Sequence, residues 1–205
     1  KYAPFHCQLT LVSQVGQCRL TSGASAVVIE PRVLDAAEWA QRLEDRIYRG
    51  ESPGMFAFYS SVTQGITIRP ELMQVPIDDH AIVRGHAVFD TATLAAGRLY
   101  RMSTHLDRLI DSAKAAKLPL PFGSNRQINV ARMKAIIRST CMAAGQRDAE
   151  VRYWLTAGPG NLGVTPEGCT SSFYVLIFGG LPSNPRWLSE GIAEVSVPCS
   201  EVPLK

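Results

Sequence analysis

His105, Arg108 and Ser112 recur at the three- and four-residue spacing that puts side chains on one face of a helix, opposite the apolar stripe Leu106, Leu109, Ile110 and Ala113. A guanidinium offers planar donors suited to phosphate, and the first turn of a helix adds unpaired N–H groups and the positive end of its dipole. The chemistry this arrangement would do is anion binding, phosphate foremost. On spacing alone, the commoner outcome is an arginine in solvent beside a capping-region histidine.

Arg152 and Trp154 fall on one face of a β-rich run and Tyr153 on the other. A cation on a half-buried strand needs a partner, so an ion pair is the plain reading and a pocket role the alternative. Phe89, taken by itself, reads as core. Gly158-Pro-Gly160-Asn-Leu-Gly163 spells G-x-G-x-x-G, but Val164-Thr-Pro-Glu-Gly168 does not open a helix. A dinucleotide site needs that helix, so the segment reads as an irregular loop, either a plain turn or a lining of the substrate side. Asp78-Asp79-His80 has metal-ligand residue types, yet three consecutive side chains cannot converge on one ion; no metal is expected, and the run reads as a turn before a strand.

The elements that must position these groups follow from the hydrophobic pattern. Residues 1–33 are mixed and punctuated by Gly and Ser, a weakly structured lead-in. Ala36, Ala40, Leu43 and Ile47 recur at helical spacing, Glu38 and Arg42 form an i,i+4 pair, and Gly50 with Pro53 supplies the stop. Residues 55–61 and 65–68 are predicted strands around a Thr-Gln-Gly turn. Residues 84–94 are a near-continuous small-and-apolar run read as a strand, and Gly97 folds it into a hairpin with residues 99–102.

Thr104 stands at capping-box spacing from Asp107, which predicts a helix from His105 that stops before Pro119 and Pro121. Ser124 and Gln127 form a second such box for a helix carrying Met133, Ile136, Ile137, Cys141 and Ala144 and ending at Gly145. Residues 151–156 and 173–178 read as strands, and the Gly, Pro, Ser and Asn of residues 179–185 as a linker.

With 205 residues, 46% hydrophobic and 19% charged, the chain can bury a core and is not disordered. A net charge of +3 with no basic run argues against nucleic acid and anionic membranes as partners, and no apolar stretch is long enough for a membrane span. Five widely spaced cysteines with no Cys-x-x-Cys fit neither a disulfide framework nor a zinc site, which points to a reducing compartment, cytoplasm or organelle matrix. Because it starts at Lys1, the chain reads as a fragment or processed form, in which any targeting peptide is not observable.

The ordered blocks His80-Ala-Ile-Val-Arg84-Gly85-His86-Ala-Val-Phe89-Asp90-Thr91, Gly97-Arg-Leu-Tyr100 and Thr104-His105-Leu-Asp-Arg108-Leu109 resemble the class IV (fold type IV) pyridoxal-phosphate enzymes. That group holds branched-chain and D-amino-acid aminotransferases and aminodeoxychorismate lyase. Pro-Ile-Asp-Asp-His and Arg-Tyr-Trp-Leu-x-Ala-Gly-Pro-Gly bring it nearest to plant and algal branched-chain-aminotransferase-like members. The likeness runs from about Met55 to Phe178. It implies an α+β fold: an N-terminal extension with one helix (1–54), a small α/β domain (55–180) and the beginning of a larger, truncated second domain (186–205).

The resemblance further implies pyridoxal 5′-phosphate as cofactor, an amino acid of branched-chain or D type and a 2-oxo acid as substrates, and a homodimer. By that likeness Arg108 holds the cofactor phosphate with support from His105, while Phe89, His86 and Arg152 line the substrate side. Ala157 stands where D-amino-acid transaminases carry an arginine for the substrate carboxylate, a departure from that pattern.

Pyridoxal chemistry needs a lysine. The chain has only Lys1, Lys114, Lys117, Lys134 and Lys205. None matches the family position, which is expected beyond the chain; Lys205, in a Val-Pro-Leu-Lys turn, is the one candidate within it. Aminodeoxychorismate lyase chemistry, or an inactive truncated homologue, is the alternative.

Overall fold

The computed structural model describes residues 32–48, 54–179 and 186–191. Residues 1–31 of the predicted lead-in, the expected helix stop at Gly50 and Pro53, the linker residues 180–185 and Lys205 lie outside them, as do residues 192–204 of the expected second domain. Helix α1 (Ala36–Tyr48) forms where the spacing places it, with Arg42 donating to Glu38 at 3.0 Å, and it packs against a 3-10 turn at Pro70–Leu72.

Among the described residues an antiparallel sheet of six strands follows in the order β2-β1-β6-β5-β3-β4. Its strands are β1 (Met55–Ser60), β2 (Gly65–Thr67), β3 (Ala87–Ala95), β4 (Arg98–Leu99), β5 (Ala149–Thr156) and β6 (Ser172–Phe178). Ala96 and Gly97 join β3 to β4 with φ of 49° and 77°, the doubly left-handed two-residue turn that matches strand twist.

Helices α3 (Met102–Ala115) and α4 (Arg126–Ala144) cover one face of the sheet. Leu106, Leu109, Met133 and Ile137 bury against Ala92 and Leu94 of β3, Val151, Tyr153 and Leu155 of β5, and Phe173, Val175 and Ile177 of β6. Strand periodicity then decides the rest. Even-numbered β3 residues face the helices, and Phe89, Thr91 and Thr93 face the other side together with Arg152 and Trp154. Among the described residues that second face is left open beside Phe89 and Thr93, while Met73, Ala81 and Ile82 line a cleft with Phe58, Trp154, Tyr174 and Leu176 of the same face.

Four boundaries differ from the sequence reading. The run from residue 84 does not begin a strand, because His80–Arg84 is a short helix, α2. Asp79 caps it through its Oδ1 on the Ala81 N–H at 2.8 Å, and Gly85 at φ 72° ends it. Met102 is helical, not the end of a strand. Helix α3 starts there rather than at His105, after Arg101 in a left-handed conformation and with no side-chain cap, so the Thr104/Asp107 box does not form. Asn125, not Ser124, caps α4, accepting from the Ile128 N–H at 3.0 Å. In each case a turn residue with a local hydrogen bond or positive φ sets the boundary, against the apolar pattern for β3 and β4 and against the expected capping boxes for α3 and α4.

Candidate functional site

Asp90 lies on the helix side of β3, where alternation buries it to 5% exposure, and a carboxylate so placed needs a cation. Arg108 supplies it from the second turn of α3: Nε donates to Oδ2 at 2.9 Å and Nη2 to Oδ1. His105 Nδ1 lies 3.3 Å from Oδ1. Burial raises the Asp90 pKa, but hydrogen bonds from Arg108, the Thr91 N–H and His105, with the charge of Arg108, outweigh it and hold the group below its ordinary value. Hydrogen bonding and the charge of Asp90 raise that of Arg108 in turn.

The pair is asymmetric. The carboxylate is buried, while the Arg108 side chain is 66% exposed, and its Nη1 makes no hydrogen bond within the described residues. The guanidinium is therefore gripped along its inner edge and offers its outer edge. His105 and Arg108 do share a face, as their spacing requires, but that face turns toward a strand partner and not simply to solvent. Tyr153, paired across from Asp90, adds a buried hydroxyl with no partner among the described residues; burial and the charge of Asp90 raise its pKa.

On the opposite face, Arg152 Nε donates to Thr91 Oγ1 at 3.1 Å, and its guanidinium lies 5.7 Å from the Phe89 ring centre and 5.3 Å from that of Phe178. The expected ion pair is absent among the described residues; a hydroxyl and two rings hold the cation instead. Phe89 is not core: it is 63% exposed, beside Trp154. Next to them Phe58, Trp154, Tyr174, Leu176, Met73 and Ile82 line an apolar cleft of about 320 Å3. The sheet thus separates Arg108 and His105 from Phe89 and Arg152, one pair on each face.

A third cluster was not visible in the sequence. Asp79 and His80 are fully buried. Asp79 Oδ2 accepts from Tyr174 OH at 2.7 Å and from Thr156 Oγ1 at 3.0 Å. His80 Nε2 lies 3.0 Å from the Asn161 carbonyl, and its Nδ1 lies 3.0 Å from His86 Nδ1. A carbonyl only accepts, so His80 Nε2 donates, its Nδ1 accepts, and His86 Nδ1 is the donor. His86 is thus tied to His80. With Arg84 Nε donating to the Gly163 carbonyl at 3.0 Å, this cluster anchors the loop 157–171 to α2.

That loop is irregular and opens no helix, as the Val164–Gly168 run requires. Gly158 has φ 89°, and a Cβ there would lie 1.6 Å from the Thr170 carbonyl oxygen. The signal for Asp79 was an Asp one residue before a short run that Gly85 could end; the signal for Asp90 was its parity in β3.

The expected cofactor can be set against these groups. An exposed, pre-oriented guanidinium with a histidine beside it fits a phosphate. Lys114, Lys117 and Lys134 all belong to the helix side: Lys114 lines a cleft with Ile110 and Leu118, Lys117 follows α3, and Lys134 donates to Ser103 at 3.4 Å. The described residues therefore fit the phosphate end of the cofactor and supply no lysine on the open face of the sheet.

A model of the amino-transferase class IV family matches residues 87–202. The chain is 39% identical over 175 residues to the chloroplastic D-amino-acid transaminase of Arabidopsis thaliana, and 28% identical over 131 residues to a putative branched-chain-amino-acid aminotransferase of Methanocaldococcus jannaschii. These matches cover 84% and 64% of the chain but 43% of either relative, so the chain spans under half the length of the curated relatives it matches. Its fold is similar to that of a T.th. branched-chain amino acid aminotransferase complexed with N-(5′-phosphopyridoxyl)-L-glutamate, with TM-score 0.51 and 19% identity over 63% of this chain and 41% of that one. The branched-chain aminotransferase of Thermoproteus uzoniensis with norvaline gives a TM-score of 0.50 at 19% identity over 62% of this chain and 41% of that one.

Proposed function

Given that the chain belongs to the class IV amino-transferase family, we propose that it forms the small-domain side of the active site of a pyridoxal-phosphate-dependent aminotransferase. The reaction moves an amino group from an amino acid of branched-chain or D type to a 2-oxo acid. The cofactor supplies the electron sink that makes the amino acid's Cα–H acidic.

What this chain's residues contribute is binding and enclosure. Arg108, held by Asp90 and flanked by His105, takes the cofactor phosphate with its outer edge. Phe89 and Arg152, with His86 at the entry to β3, face the substrate, the aromatic rings excluding water and the guanidinium receiving a negative group. The lysine and the other wall of the cleft come from residues outside the described ones. We place the whole protein in a homodimer and, by analogy with the Arabidopsis relative, in a plastid-like compartment. Among the described residues no helix is long and apolar enough to cross a membrane.

The observation that carries this reading is the one-sided grip on Arg108, a cation fixed by a buried carboxylate with its donors left over. Affinities for pyridoxal phosphate and for pyridoxal, which lacks the phosphate, test it in wild type and Arg108→Ala. The variant should lose roughly tenfold or more of its preference for the phosphorylated form, the worth of a charge-assisted contact. An unchanged preference in a folded variant overturns the phosphate role. Product analysis with an amino acid plus 2-oxoglutarate, against aminodeoxychorismate alone, separates transfer from elimination.

A further inference from the structure

Because α3 begins a turn earlier than its sequence suggests, the free first-turn N–H groups belong to Met102, Ser103 and Thr104, and not to the turn that carries Arg108. Among the described residues no side chain caps them, and no acidic residue stands in that turn. These residues form one wall of a cleft of about 560 Å3 between the β3–β4 hairpin, α3 and α4.

Three cations line it, Arg101 from the end of the hairpin and Lys134 and Arg138 from α4; no carboxylate among the described residues does. Lys134 and Arg138 are one helical turn apart on a single face. Apart from the Lys134 contact to Ser103, the three head groups have no side-chain partner among the described residues. The acidic residues of α3 are already engaged, since Asp107 and Asp111 hold Arg126 at 2.9 and 2.6 Å. Elsewhere in the described residues Arg69 pairs with Glu44 and Glu71, and Arg42 with Glu38.

Three like charges gathered from separate elements around a concave space repel one another, and a multivalent anion relieves that repulsion. We infer that this cleft binds a small phosphorylated anion, of the diphosphate or polyphosphate-ester class. The concave wall and its apolar floor at Leu94 and Leu99 suit a compact ester, whereas a macromolecule would need a flat basic face. The site is distinct from the Asp90–Arg108 group, none of whose members lines the cleft, and the inference stands independently of the role of Arg108.

Calorimetric titration of the intact protein with pyrophosphate, at low and moderate salt, tests it. One site is expected, weakening as salt rises. Lys134→Gln and Arg138→Gln should each weaken it roughly tenfold, the worth of one hydrogen bond to a charged group, with an unchanged urea midpoint, while Arg108→Ala leaves it intact. The inference is overturned by any of four results: no binding, binding indifferent to both glutamine variants, binding lost in Arg108→Ala, or tighter binding of duplex nucleic acid or anionic vesicles that pyrophosphate does not displace.

Discussion

Replacing Asp79 with alanine should be among the costliest changes at any polar position. Its carboxyl oxygens accept from Tyr174 OH, Thr156 Oγ1 and the Ala81 N–H, and Tyr174 and Thr156 are each only 1% exposed. Stranding two buried hydroxyls costs about 1–3 kcal/mol each, and losing the cap of α2 costs about 1 kcal/mol more. The sum, about 3–7 kcal/mol, is a large share of the roughly 5–15 kcal/mol that a domain possesses. Asp79→Asn keeps the shape and one acceptor oxygen, which can still serve both hydroxyls while its amide opposes the Ala81 N–H, so about 1–2 kcal/mol is expected. Tyr174→Phe removes one donor and leaves Asp79 its other two partners, at about 1 kcal/mol. Urea unfolding followed by tryptophan fluorescence, with a shared m-value, reads the order directly. The reasoning fails if Asp79→Ala lies within about 1 kcal/mol of wild type, or if it costs no more than Asp79→Asn. Should Asp79→Ala prove too unstable to purify, the milder pair still tests the ordering.

Gly158→Ala sets a new Cβ against backbone in a left-handed conformation, and strain plus overpacking of about 2–4 kcal/mol should lower the melting temperature by roughly 4–16 °C. Gly145→Ala, at φ 65° with nothing within 4 Å of the added carbon, should cost only about 1–2 kcal/mol of strain; equal losses for the two in thermal scans would contradict the clash. Asp90 is held below its ordinary 3.8 in the fold, so it contributes stability above that pH that is lost as pH falls through the lowered value. Asp90→Asn should therefore flatten the acid limb of urea midpoint against pH, and an unaltered limb counts against the pairing with Arg108. Burial pushes the Cys141 thiol up to about 11, so mass mapping after iodoacetamide near neutral pH should find Cys169 modified well before Cys141.

The elements whose periodicity is strong and whose ends are ordinary were legible in the sequence: α1, β1, β5 and β6 fall within a residue or two of their expected limits. What misled was the start of the apolar run of residues 84–94, since Arg84 is drawn into a helical turn by Asp79 before it and Gly85 after it, and β3 begins only at Ala87. The start of α3 was misplaced for a related reason, since a left-handed Arg101 leaves no mark in a hydrophobic pattern. The spacing of His105 and Arg108 does put them on one face. Spacing cannot say what that face meets, and Asp90 is a partner from another element. Arg152 shows the same limit, because a cation's need for a partner was readable and the choice of a threonine and two rings was not.

The alternation along β3 also shapes how this protein could acquire new specificities. Phe89, Thr91 and Thr93 project from the uncovered face, whereas Asp90, Ala92 and Leu94 are fixed beneath α3. A combinatorial library confined to the first three would vary the chemistry of one wall while leaving the anion anchor and the core untouched. A single-residue insertion in the same strand would exchange the two sets and destroy both. Mutational tolerance along residues 89–94 should therefore oscillate with a period of two, so that drift at alternate positions changes selectivity at little cost in folding.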